Sequence, residues 1–280
     1  MTRLCTAGTV KIGPNQPLAI IAGPCVLESL ELGLSIGKAM KTACDRAGVS
    51  YIFKASFDKA NRSSIRSARG PGLEQGLKWF EIIKRELGTP ATTDIHDPSQ
   101  AMPAAEVIDL LQIPAFLCRQ TDLLCAAGEA AVKHGRAVNV KKGQFLSPGE
   151  MAGAVRKLSE VNSHNTMLTE RGTTFGYHRL VNDFIGLYDM MNLKTDGGSA
   201  PVCFDVTHST QTPGTGETTG GRPDSAPTLA CAATAAGVHA LFIETHPTPK
   251  TAMSDASTML TLEVAADVIA RVAKIHAAMK

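Results

Sequence analysis

Aromatic residues are scarce in this 280-residue chain: one tryptophan, three tyrosines and nine phenylalanines. They are not interleaved with a basic stripe, and the formal net charge is only +2. These two shortages remove the stacking and bulk-electrostatic grounds for a nucleic-acid partner. No apolar run approaches the ~20 residues that a spanning helix needs, so no membrane partner is expected. The cysteines (Cys5, Cys25, Cys44, Cys118, Cys125, Cys203 and Cys231) are odd in number, scattered, and form no CxxC pair. The N-terminus runs into turn residues and carries no apolar signal core, so the expectation is a cytoplasmic protein with reduced thiols. A Gly-x-Gly-x-x-Gly after the first strand is also missing, which counts against a doubly wound dinucleotide fold. Gly214 to Gly221 superficially looks like a P-loop but lacks the Lys-Ser/Thr ending.

What is present is a globular composition, 44% hydrophobic and 19% charged, arranged as an alternation. Short apolar strands are expected at Leu18–Ala22, Tyr51–Ala55, Ala91–Asp94, Ala115–Cys118, Ala137–Val140, Thr166–Thr169, Val202–Val206 and Ala240–Ile243. Helices are expected at Glu31–Ala47, Leu73–Leu87, Ser99–Leu111, Asp122–Lys133, Ser147–Val161, Leu180–Met191, Ala226–Ala236 and Met253–Ala278. Strands buried on both faces and alternating with helices imply a parallel sheet. Eight such units over ~250 residues match one closed (β/α)8 barrel, a TIM barrel, with the open doubly wound sheet as the alternative. Thr9–Gly13 reads as a short extra N-terminal strand, half of a hairpin. No linker interrupts the pattern, so 1–280 is expected to be a single catalytic domain. The longest irregular stretch, Thr207–Asp224, has the character of a functional loop.

The chemistry concentrates after the strands. Lys54 to Gly72 carries five cations (Lys54, Lys59, Arg62, Arg66, Arg69) and one anion, Asp58, among serines and an asparagine. Guanidinium forks, ammonium groups and hydroxyls following a strand suit a phosphate ester better than a plain solvated loop. In a barrel, the carboxyl ends of all strands share one mouth. That brings together Cys25; Lys54, Lys59, Arg62 and Ser63; Asp94 and His96; Arg119; Lys141 and Lys142; Glu170 and Arg171; Asp205 and His208; Glu244 and His246. Asp255 lies just beyond. Cations from five loops suit two phosphates, or a phosphate and a carboxylate; pairing with acids across the mouth accounts for one or two of them. Cys25, His208, Glu244 and Asp255 have the side chains of a mixed S/N/O divalent-metal site. Their wide spacing leaves open that Cys25 is a small buried residue and His208 a loop histidine. Lys54 or Lys141 as a Schiff-base lysine is the metal-independent alternative.

Several blocks occur in order between about Leu18 and Leu260: Gly23-Pro-Cys-Val-Leu-Glu-Ser29, Lys54-Ala-Ser-Phe-Asp-Lys-Ala-Asn-Arg-Ser-Ser64, Arg69-Gly-Pro-Gly72, Pro114-Ala-Phe-Leu-Cys-Arg-Gln-Thr-Asp122, Asn139-Val-Lys-Lys-Gly-Gln-Phe145, Glu170-Arg-Gly172, Phe204-Asp-Val-Thr-His208 and Phe242-Ile-Glu-Thr-His-Pro247. Together they resemble the 3-deoxy-D-manno-octulosonate 8-phosphate synthases. The resemblance implies a (β/α)8 barrel, a homotetramer, and an aldol-type condensation of phosphoenolpyruvate with D-arabinose 5-phosphate that feeds lipopolysaccharide sugar synthesis. The related heptulosonate synthases, which use erythrose 4-phosphate, share Gly-Pro-Cys but have a Lys-Pro-Arg-Thr-type segment where this chain has Lys54-Ala-Ser-Phe. A barrel that binds a sugar phosphate without catalysis is the non-enzymatic alternative; it predicts lost mouth residues.

Cys25, Gly143 and Ser254-Asp-Ala256 resemble the metal-dependent members, which implies Cys25, His208, Glu244 and Asp255 as ligands for zinc, iron or manganese. Ala68 departs from the family, where an aromatic is common. By matched motif, Lys59, Lys141, Arg171, Gln112 and the backbone at Ala115 resemble the phosphoenolpyruvate site, with Lys54 beside it. Asn61, Arg62 and Ser63 resemble the pentose phosphate site. Arg119 resembles a residue that reaches a neighbouring subunit's sugar phosphate. Asp94, His96 and Asp205 fall near the reacting groups.

Overall fold

The residues of Ala19–Gly23 are all buried, as an apolar run flanked on both faces demands. They form β1 of a closed parallel barrel, followed by β2 (Ser50–Lys54), β3 (Ala91–Asp94), β4 (Leu110–Ile113), β5 (Ala137–Lys141), β6 (Thr166–Glu170), β7 (Val202–Asp205) and β8 (Ala240–Glu244). Closure is made by β8 against β1, with Ala240 opposite Ala19 and Glu244 opposite Gly23. This is a computed structural model that describes residues 2–60, 68–213 and 220–280. Among the described residues the helices are α1 (Leu30–Ala47), α2 (Leu73–Leu87), α3 (Pro98–Val107), α4 (Thr121–His134), α5 (Met151–Glu160), α6 (Phe184–Met191), α7 (Ala226–Ala235) and α8 (Leu262–Ala278). Each follows one strand, so the expected (β/α)8 TIM barrel is the observed architecture.

Local sequence sets the helix limits. Ser29 accepts a hydrogen bond from the Leu32 amide to start α1, and Gly48 ends it in the left-handed conformation at φ 67°. The inward stripe of α1, Ile36, Met40 and Cys44 with Gly33 and Gly37, packs on the sheet. Gly37 is needed for closeness: a Cβ there would stand 2.5 Å from Leu87 Cδ1.

The fourth strand corrects the sequence reading. It occupies Leu110–Ile113, inside the stretch expected to end a helix, and Ala115–Leu117 is a 3-10 turn where a strand was expected. A short apolar run has no periodicity that separates buried strand from buried helix. Tertiary contacts decide it at Asp109. Its carboxylate pairs with Lys84 at 2.7 Å and Arg136 at 3.0 Å and accepts the Ala91 amide at 2.9 Å, tying the start of β4 to β3 and α2. Three other helices start later than expected: α5 begins at Met151 after a 3-10 turn over Pro148–Glu150, and α6 and α8 follow irregular or hairpin segments. Asp183 caps α6 after a small hairpin pairing Leu180–Val181 with Thr173–Thr174, and Thr261 caps α8 after an irregular stretch from Met253.

The N-terminal extra strand is a full hairpin, Cys5–Ala7 against Val10–Ile12. Its buried side chains pack on Ala19, Leu110, Ala137 and Ala240 at the amino ends of the strands, closing the barrel floor. Asn165 clamps it there, accepting from the Thr6 amide at 2.7 Å and donating to the Thr6 carbonyl at 2.8 Å.

Replacing Asp109 by alanine leaves two cations and one amide without their buried acceptor. The expected loss is about 3 kcal/mol of folding stability, read as a lower midpoint in chemical denaturation; an unchanged midpoint would show that this cluster does not secure β4.

Candidate active site

Six of the eight barrel strands end on a charged residue: Lys54, Asp94, Lys141, Glu170, Asp205 and Glu244. Parallel strands aim these ends at one mouth. Beneath and around them lies a cavity of about 480 Å³ lined by Lys59, Asp94, His96, Ala115, Lys141, Arg171, His208, Glu244 and Asp255, among others.

Lys54 is buried and spends its ammonium donors on the carbonyls of Pro24 at 3.2 Å and Cys25 at 3.0 Å and on Glu244 Oε1. Gly23 makes that approach possible, since a Cβ there would lie 1.9 Å from the Lys54 carbonyl oxygen. Lys141 pairs with Asp205 Oδ2 at 2.7 Å, and its Nζ sits 3.7 Å from the centroid of the Phe242 ring. The ring's negative face favours that cation. Arg171 is buried too, but its Nη2 donates to the Gln211 amide oxygen at 2.6 Å, and its Nη1 has no partner among the described residues. Carboxylate pairing therefore accounts for Lys54 and Lys141 and not for Arg171.

Cys25 Sγ, a Glu244 oxygen and an Asp255 oxygen lie within 4.8 Å of one another. The Cys25 thiol donates to Asp255 Oδ2 at 2.9 Å. His208 joins from the other side: its Nδ1 lies 2.9 Å from Asp205 Oδ2, and its Nε2 is 3.7 Å from Glu244 Oε2. That Glu244 oxygen is buried and has no hydrogen-bond partner among the described residues. Asp255 holds a left-handed backbone, φ 51°, which aspartate tolerates better than most residues. The set fits a divalent cation: a thiol and two carboxylates converge, an imidazole borders them at Glu244 but lies outside that close group, and a carboxylate already orients the histidine.

The titration directions follow from this crowding. Burial, then the Asp255 and Glu244 carboxylates, push the Cys25 thiol well up. Burial opposes the Asp255 carboxylate, but Lys59 and His208 outweigh it and hold its pKa at about 2. The same contest holds Asp94 down through Lys54, Lys59 and Lys141, and Asp205 down through His208 and Lys141. Burial weakens the Lys59 ammonium, yet Cys25, Glu244, Asp255 and Asp94 raise its pKa well above the ordinary lysine value.

Other expected residues fall elsewhere. Gln112 is fully buried below the cavity wall, its amide donating to Asp94 Oδ1 at 2.6 Å. Arg119 is exposed on a second cleft of about 310 Å³ with Arg156 and Lys157. Asn61, Arg62, Ser63 and Arg66 lie outside the described residues. Arg69 makes a two-pronged pair with Asp58 at 2.9 and 2.6 Å and so ties the loop to itself. Sequence reasoning missed Phe242, Gln211, Ser56 and Asn139 as site components. Phe242, Asn139 and Ser56 stood inside the family-like motifs, but an inward direction at the barrel wall was the signal needed to single them out.

The carboxylates also set an acid limit. Asp94, Asp205 and Asp255 have native pKa values below the unfolded value of about 3.9. Their contribution is complete above that value and is lost as pH falls from about 4 towards 2. The slope of unfolding free energy against pH in this window should flatten in Asp205→Asn; an unchanged slope would remove Asp205 from the account.

The model of the DAHP synthetase I family matches residues 2–279. The chain is 49% identical over 263 residues to a protein of Cyanothece sp. named 2-dehydro-3-deoxyphosphooctonate aldolase, covering 94% of this chain and 93% of that one. It is 46% identical to the protein of that name from Desulfotalea psychrophila, over 97% and 94% of the two chains. To that of Bradyrhizobium diazoefficiens it is 47% identical, over 98% and 95%. Near-complete coverage in both directions, on a barrel whose strand ends carry the matched motifs, shows that the chain belongs to the DAHP synthetase I family.

Proposed function

We propose that this chain is a 3-deoxy-8-phosphooctulonate synthase. It condenses phosphoenolpyruvate with D-arabinose 5-phosphate and water to give 3-deoxy-D-manno-octulosonate 8-phosphate and phosphate, a sugar precursor for lipopolysaccharide. The relatives' name supports an eight-carbon product, which a three-carbon enol phosphate makes with a five-carbon aldose. The observation that carries the reading is buried Arg171, whose Nη1 has no hydrogen-bond partner among the described residues and which lines a cavity with Lys59 and Lys141. Such a group awaits an anion.

In the reaction, C3 of phosphoenolpyruvate forms a bond to the aldehyde carbon of the sugar, whose oxygen takes a proton. Positive charge develops at C2 and water captures it. The resulting hemiketal phosphate releases inorganic phosphate by C–O cleavage. Lys59, Lys141 and Arg171 hold the phosphate and carboxylate of the enol, with Lys54 supporting them from below. Asn61, Arg62 and Ser63 take the pentose phosphate. Asp94, His96 and Asp205 serve the proton movements near the reacting carbons. Bringing two dianions together is mainly positioning and charge neutralisation.

Cys25, His208, Glu244 and Asp255 would hold a divalent cation, zinc, iron or manganese. When bound, it supplies Lewis-acid polarisation of an oxygen at the mouth. Asp205 orients His208, and Glu244 divides its two oxygens between Lys54 and this site. A Schiff-base role is disfavoured, because Lys54 would surrender three contacts and Lys141 its Asp205 partner to become an imine. Residues 1–280 act as one catalytic domain, in the cytoplasm; no helix among the described residues is long and apolar enough to cross a membrane. The position of Arg119 outside its own chain's cavity supports a homotetramer in which it serves a neighbour.

Phosphate release should be fast with arabinose 5-phosphate and phosphoenolpyruvate and slow with erythrose 4-phosphate; the reverse preference would assign the heptulosonate reaction, and no release with either would favour the non-catalytic barrel. Arg171→Ala should lower kcat/KM by about a hundredfold or more. Chelation should abolish turnover and zinc, manganese or iron restore it, whereas Cys25→Asn should tolerate chelation better. Full activity after verified metal removal would sink the metal assignment.

A further inference from the structure

One hydrogen-bonded chain below the mouth reaches Asp94 through residues that the scheme above does not use. Thr169 Oγ1 on β6 donates to Asn139 Oδ1 on β5 at 2.7 Å. Asn139 Nδ2 donates to Gln112 Oε1 on β4 at 2.9 Å. Gln112 Nε2 donates to Asp94 Oδ1 on β3 at 2.6 Å. The second Asp94 oxygen accepts from Ser56 Oγ, just beyond β2, at 2.6 Å. All five residues are buried, and five consecutive regions of the barrel wall contribute one each.

The direction of this chain is not arbitrary. A carboxylate only accepts, so the amide beside it must present its NH2. That turns the Gln112 carbonyl towards Asn139, which must then present its own NH2, and so on to the Thr169 hydroxyl. Two amide dipoles thus align head to tail and point their positive ends at Asp94. In a buried setting such aligned bonds reinforce one another.

We infer that Gln112 and Asn139 are positioning residues, which hold Asp94 as a fixed, anionic hydrogen-bond acceptor on the cavity wall. The inference rests on the proposed condensation for its kinetic consequence and gives Gln112 a role other than touching substrate. With one lone pair of each oxygen taken from the side, Asp94 offers the remaining acceptor capacity to the mouth. The charged and titratable groups facing it are Lys54 and Lys59 from β2 and its loop, Lys141 from β5, and His96 from its own loop. These cations favour the carboxylate, and the amide chain fixes which way it points.

Two nearly isosteric substitutions break the direction without opening a cavity. Gln112→Glu places a second carboxyl against Asp94, and two such groups share a proton. Asn139→Asp touches nothing of Asp94 but offers Gln112 a competing carboxylate, so the Gln112 amide turns its NH2 away and its oxygen towards Asp94. Both should lower kcat by about a hundredfold with the KM for phosphoenolpyruvate little changed. Gln112→Glu should move the acid limb of the kcat profile upward, and Thr169→Val, at the far end, should have the smallest effect. Carbon-13 NMR titration of the Asp94 carboxyl, identified by its loss in Asp94→Asn, reads the same point without turnover: in Gln112→Glu the shared proton should leave at about pH 5 or above. Wild-type kinetics and wild-type titration in both variants would overturn the inference. Failure of the wild-type enzyme to release phosphate, with the titration shifted as expected, would instead overturn the proposed reaction and leave the positioning role standing.

Discussion

The ion pair between Lys54 and Glu244 is the constraint on which the mouth depends. Both partners are fully buried, and neither charge would be stable there alone, because removing one leaves the other desolvated and unpaired. The pair spans β1, joining the end of β2 to the end of β8 across Gly23, whose missing Cβ lets β1 pass close to the backbone of Lys54. It also captures the carbonyls of Pro24 and Cys25, so the turn that carries the thiol is set by the same ammonium. Glu244 is left with one oxygen fixed and the other aimed at His208 and the Cys25–Asp255 pair. One lysine thus orders a strand junction, a loop and a set of metal-type donors.

The metal-type donors and the cations that line the cavity come from different stretches of the ring. The thiol, imidazole and two carboxylates come from the ends of β7, β8 and β1, which are neighbours in the closed sheet. Lys59, Lys141 and Arg171 come from the other arc, after β2, β5 and β6. Phe242 lies between them, its ring carrying Lys141 and standing 5.9 Å from the His208 ring.

The barrel was readable because parallel strands buried on both faces leave an apolar signature, and because α1, α2 and α4 each end on a glycine stop, Gly48, Gly88 and Gly135. The fourth strand was not readable, because Val107 to Ile113 is apolar enough for either state and Asp109 settles it through partners distant in sequence. Among site residues, those at strand ends declared themselves by charge. Gln112 was named only through the family resemblance and Asn139 not at all, since a neutral amide on a strand has the same appearance whether it faces a ligand, a neighbour or a helix. Their direction exists only in the closed ring. Arg119 shows the converse: its type was conspicuous, but which cavity it borders depends on the turn after β4.

The N-terminal hairpin has a further meaning. By covering the amino ends of the strands with Cys5, Ala7, Val10 and Ile12, and being clamped there by Asn165, it keeps the apolar base of the barrel from water. That end of the barrel is spent on stability, which leaves the carboxyl ends of the strands as the face given to chemistry.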